Sequence, residues 1–203
     1  MAVSRVQTSS ILQGFPKSRS LLAGNAGYDP AATWLIQRIT AAGGETSITF
    51  SSIPQTYTSL QIRIMSKDTY STSALASQNL IQFNGDTAAN YVYHSLTGNG
   101  TAAAASGTTA ASNMIAFGNV DSATGQTSTF GAAIIDIQDY NLTSKNKTIR
   151  TLSGANWNTT STNQRIALTS GLWLSTAAVT SITILKDLTA FAASSTFALY
   201  GMK

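Results

Sequence analysis

Short runs in which apolar and polar residues alternate recur along the chain from Trp34 onward. In "SLQIRIM" the residues Leu60, Ile62 and Ile64 fall on one side, with Gln61, Arg63 and Met65 on the other. Successive side chains of an extended chain point to opposite faces, so this period of two predicts a half-buried strand. The same texture appears in "WLIQRIT", "TSITF", "QNLIQF", "NYVYHSL", "NMIAFG", "TFGAAIIDIQDY", "KTIRTLSG", "QRIALTSGLWL", "TSITIL" and "STFALYGMK". Turn-forming residues separate these runs, and no helical stripe is long enough to cover a sheet. The pattern predicts roughly ten to eleven short strands in an all-β sandwich or closed barrel. Gly43-Gly44 between the first two runs predicts a hairpin. The last run reaches the C-terminal residues, so these are expected to be tied into a sheet. Residues 97–112, "TGNGTAAAASGTTAAS", are small and repetitive, and read as a long mobile loop without core residues.

The first thirty residues differ. Gly14, Pro16, Gly24, Gly27 and Pro30 break any regular element. Ile11, Leu12, Phe15, Leu21 and Leu22 nevertheless supply apolar anchors that a free linker would not need. Residues 1–30 are therefore read as an extended N-terminal docking arm, and 31–203 as the β-sandwich domain.

Composition narrows the class. Of the 203 residues 43% are hydrophobic but only 10% are charged, against an ordinary share of about a quarter. Hydroxyls and amides solvate the surface instead. Disorder normally combines low hydrophobicity with high charge, and this chain has neither. There is no cysteine, which excludes disulfides, thiolate metal sites and a cysteine nucleophile. The N-terminus lacks the apolar stretch of a secretory signal. No run approaches the roughly 20 apolar residues of a membrane span. The net charge is +4: three basic residues precede the first acid, Asp29, and nine basic against eight acidic residues give +1 for the rest. That arm is too thinly charged, and too poor in stacking aromatics, to predict a nucleic-acid partner.

Candidate chemistry centres on "IQFNGDTAANYVYHSL". Asn84-Gly85-Asp86 is first a turn or hairpin signature, with Asn at positive φ and Asp accepting from nearby amides. The second reading is a glycan-contacting loop formed by Asn84, Asp86, Asn90 and Tyr91, with Trp157 as a further exposed aromatic. Calcium takes six to eight oxygen ligands, and three amide or carboxylate side chains fall short of that, so no metal site is expected. Tyr91 and Tyr93 share one strand face, either as packing or as sugar platforms. His94, the single histidine, is read as a hydrogen-bonded residue at an edge or interface. Trp173 sits between Leu172 and Leu174 as a core or interface anchor.

Asp136 and Asp139 point to opposite faces of a strand and cannot act as paired hydrolase carboxylates. Asp136 is instead expected opposite Arg150 across a turn at "NLTSKN", with Lys145 and Lys147 solvated at its tip. No nucleophile–base spacing and no phosphate loop is present, so neither an enzyme nor a cofactor is expected.

"FGAAIIDIQDYNLTSKNKTIRTLSG", "TFSSIPQTYTSLQIRI", "IQFNGDTAANYVYHSL", "SGLWLSTAAVTSITIL" and "TFALYGMK" together resemble a family of small bacteriophage virion proteins. The opening "RVQTSSILQGFPKSRSLLAGN" resembles the head of some members. The resemblance covers nearly the whole chain and implies a jelly-roll-like antiparallel β-sandwich on the exterior of a phage particle assembled in the host cytoplasm. It also implies other virion proteins as partners, symmetric homo-oligomers that are often trimers, and a role in a tail or baseplate fibre or appendage that could touch host-surface glycans. The alternative is a capsid decoration or head-fibre protein. It implies no catalytic or ligand-binding residue.

Overall fold

A computed structural model describes residues 33–69, 78–117, 128–156 and 164–203. The docking-arm residues Ile11, Leu12, Phe15, Leu21 and Leu22 lie outside the described residues, as does Trp157. The described chain is all β, with twelve strands. They are β1 (Thr33–Thr40), β2 (Ser47–Phe50), β3 (Ser59–Ser66), β4 (Asn79–Phe83), β5 (Tyr91–Gly98) and β6 (Ala103–Ala111). Then follow β7 (Met114–Phe117), β8 (Gly131–Gln138), β9 (Lys147–Ala155), β10 (Arg165–Trp173), β11 (Ile182–Lys186) and β12 (Thr196–Met202).

All pairings are antiparallel. One sheet runs β1-β12-β3-β8-β9-β10-β5-β6, the other β2-β11-β4-β7. The quartets β1-β12-β3-β8 and β2-β11-β4-β7 have the strand order of a jelly roll, two four-stranded sheets linked by Greek-key connections. Two insertions build the larger sheet outward: β9-β10 follow β8, and the β5-β6 hairpin sits between β4 and β7 in the chain.

The inner faces of both sheets share one apolar core. Leu60, Ile62 and Ile64 point into it from β3, as their spacing predicts, with Ile135, Ile137, Phe197 and Leu199 beside them. Phe50, Ile81, Phe83, Ile182 and Ile184 answer from the smaller sheet. Burial of such side chains at about 1.5–3 kcal/mol each is the main driving force for the sandwich. One ion pair is enclosed with them: Lys186 Nζ lies 3.4 Å from Asp68 Oδ2, and both side chains are almost wholly buried.

Three expectations change. The Gly43-Gly44 connection is no hairpin, because β1 pairs with β12 and β2 with β11 in the other sheet. The two glycines instead carry the chain between sheets at φ of 107° and 97°. Residues 97–112 are not a loop: most of them form the end of β5 and the edge strand β6, in register with β5. Alanine, glycine and threonine lack the alternation that marks a strand, and here backbone pairing does the work that side chains do elsewhere. Lys147 is not a solvated tip residue. It is fully buried at the start of β9, and its ammonium donates to the carbonyls of Leu142, Lys145 and Thr176 at 2.6, 2.8 and 3.1 Å. Burial pushes its pKa down, opposed by Asp139.

Candidate functional site

The turn after β4 has the backbone its sequence predicts. Asn84 and Gly85 take φ of 53° and 69°, and the Asp86 amide donates back to the Phe83 carbonyl at 2.9 Å. It is not a hairpin, because β4 and β5 lie in different sheets. Its polar groups hold that crossover in place. Asn84 Oδ1 accepts from the amides of Thr180 and Ser181 at 2.8 and 3.1 Å, and its Nδ2 donates to the Ala178 carbonyl at 2.8 Å. Asp86 Oδ1 accepts from the Ala88 amide at 2.9 Å. Its Oδ2 accepts from Asn90 Nδ2 at 2.9 Å and from the Trp173 indole at 2.7 Å. The Asn90 and Trp173 donors, with the Ala88 amide, hold the Asp86 carboxyl below its usual pKa against a smaller opposing effect of burial.

Tyr91 is corrected as a glycan contact. It is completely buried, and its hydroxyl accepts from the Phe83 amide at 3.0 Å and donates to the Asp86 carbonyl at 3.0 Å. Desolvation raises its pKa to about 12. Its ring stacks on Trp173 at 6.4 Å, and Trp173 tilts against Phe83 at 5.5 Å. Asn84, Asp86, Asn90 and Tyr91 are thus brought together, as expected. They form an internal clamp that joins the smaller sheet to β5 and β10, with hydrogen-bonding groups committed to the protein.

The surface with functional character lies elsewhere, on the outer face of the large sheet. There Asp136 sits directly opposite Arg150, with a side-chain separation of 3.3 Å, as the sequence predicts. Gln61 donates to Asp136 at 2.9 Å. Beside this polar row the surface turns apolar. Leu96, Leu168, Leu152 and Ile134 stand side by side on β5, β10, β9 and β8. Ile166 and Met65 extend the patch on the next row, and all six are between 43% and 60% exposed. Between Met65 and Ile166 that row drops to Ala132 and Gly154, flooring an open groove of about 1010 Å³.

The sequence reading missed this patch. "KTIRTLSGA" and "RIALTSGLW" alternate correctly, but a period of two does not say which face is inside. Toward the ends of these strands the leucines stand outward, and Thr151, Ser153 and Thr169 are buried. The jelly-roll sandwich is the class that fold and surface define. Among known proteins, no family model, no curated protein and no solved structure matches the chain.

Proposed function

We propose that the chain is a non-enzymatic assembly module of a bacteriophage particle, carried on its exterior as part of a tail or baseplate appendage. The observation that carries this reading is the broad apolar patch on the outer face of the jelly roll. An exposed apolar area of this kind is a contact surface for other macromolecules. The family resemblance supplies the particle, and residues 1–30 supply the docking arm. The low charge and hydroxyl-rich composition suit a module that stays soluble before assembly. A glycan contact at residues 84–91 gains no support from the clamp, whose groups face protein partners.

Gold-labelled antibodies against the chain, applied to intact particles, test this reading. Label at the tail tip or along fibres is the expected result. Label spread over the head would move the module to capsid decoration. Particles that carry no label at all would overturn the proposal.

A further inference from the structure

We infer that the outer face of the large sheet is a two-fold interface between two copies of this chain. The inference does not depend on which part of a particle carries the module. It rests on how large and small residues are arranged in two neighbouring rows.

The first row is a ridge: Leu96, Leu168, Leu152 and Ile134 in register on four adjacent strands. The second row, two residues further along each strand, reads Gly98, Ile166, Gly154 and Ala132. On β5, β9 and β8 each large residue therefore has a small one as its same-face neighbour. A two-fold axis that runs across the strands, between the rows and in the plane where two sheets meet, exchanges the rows. Leu96 then lies over Gly98 of the second copy, Leu152 over its Gly154 and Ile134 over its Ala132. Symmetry repeats each contact in reverse, the self-complementarity that an isologous interface requires. Two large pairs remain: Leu168 meets Ile166, and on β3 Met65 of the second row meets Arg63, which stands beside Ile134 in the first.

The glycines carry independent weight. Three others are required by the chain's own packing. A Cβ on Gly171 would stand 2.5 Å from Met114 Sδ, one on Gly107 2.7 Å from His94, and one on Gly201 2.3 Å from Tyr57. Gly154 and Gly98 are under no such demand. A Cβ at either would meet one atom at an ordinary 3.6 Å, and neither takes a positive φ. Glycine inside a strand weakens it and often marks a bulge, a bend or a close approach by a ligand or another backbone; Gly154 lies inside β9 with no bulge in its pairing, and Gly98 ends β5. Here the approach comes from outside the molecule. The six half-exposed side chains present on the order of 500 Å² of apolar surface, near the upper end of the largest patches on monomers. With the groove floor and the polar rim the face approaches the ~800 Å² per partner of a stable interface.

Sedimentation equilibrium of the full chain over a wide concentration range reads this directly. The unaltered chain is expected to form a dimer or an even-numbered assembly. Gly154→Val fills the groove yet suits a strand, so it should weaken association at least tenfold with unchanged circular dichroism and an unchanged or higher melting temperature. Leu152→Arg should do the same from the ridge side; if it fails to fold, Gly154→Val still decides. A chain that stays monomeric would overturn the inference, as would association that both folded variants leave intact. Loss of association in a full chain carrying Ile11→Ser, Leu12→Ser and Phe15→Ser, with Gly154→Val unaffected, would also overturn it and make the arm the agent. An unlabelled particle would remove the virion reading and leave this one standing, whereas a monomer would do the opposite.

Discussion

Two regions of the same sheet are built with opposite polarity. In the jelly-roll quartet, β3 and β8 turn Ile62, Ile64, Ile135 and Ile137 inward and Gln61, Arg63, Asp136 and Gln138 outward, with Met65 and Ile134 the large apolar residues on the outer side. In the added strands, toward their ends remote from Trp173 and Tyr91, Thr151, Ser153, Thr169 and Ser95 face inward. Leu152, Leu168, Ile166 and Leu96 face outward. The first arrangement is what a sheet needs when a second sheet covers its inner face. The second has its greasy side on the solvent face of the described residues, where burial requires something outside them. The jelly roll thus supplies the rigid body, and its insertions, continued by Ile134 of β8 and Met65 of β3, supply the contact surface.

Substitutions that fall on one region and spare the other would break or sharpen this contrast. The largest expected effect lies in the quartet and its partner sheet. Asp68→Ala leaves Lys186 buried without its carboxylate and should cost about 3–5 kcal/mol in chemical denaturation. Replacing both by apolar residues, Asp68→Leu with Lys186→Met, should recover most of that loss. Ile135→Ala comes next, at about 2–5 kcal/mol for a wholly buried isoleucine. Leu168→Ala on the outer face, measured in dilute solution, should stay within about 0.5 kcal/mol. Comparable costs for these two would erase the distinction between the regions.

The clamp that joins the regions should show an intermediate effect. Asp86→Ala strands the Trp173 indole and the Asn90 amide, at a cost of about 1–3 kcal/mol. Tryptophan fluorescence should shift with it. The Asp86 pKa is lowered in the folded state, so its contribution is present above the usual value of 3.8 and is lost as pH falls through the folded one.

A further test is a pH slope of opposite origin. Burial lowers the pKa of Lys186 from 10.5 to about 8, with Asp68 opposing. Between those values the unfolded chain holds the proton and the folded chain has released it, so stability rises with pH across that window. Below about pH 8 both states are protonated and the full cost of burying the charge is present. Melting temperatures compared with Lys186→Met should show this slope only in the unaltered chain.

Much of the sandwich was legible in the sequence because alternation survives wherever one face meets a core. Leu60, Ile62 and Ile64 announced the inner face of β3. Asn84-Gly85 announced a left-handed turn, and Asp136 its cross-strand arginine. What escaped notice depends on partners distant in the chain. Gly43-Gly44 looks the same whether it closes a hairpin or crosses between sheets. Strand β6 has no alternating side chains to declare it. Asp68 and Lys186 are 118 residues apart. The apolar patch was hidden for a related reason: four leucines and isoleucines become one ridge only once the register of four strands is known.

Because the chain has no cysteine, a single introduced thiol reports on one face at a time. Leu168→Cys marks the apolar face and Thr49→Cys the exposed side of the smaller sheet. The decisive measurement is the alkylation rate of each thiol as protein concentration is raised. The Leu168→Cys thiol is expected to become protected as copies pair while the Thr49→Cys thiol reacts at a constant rate. Equal, concentration-independent rates at both positions would contradict the account.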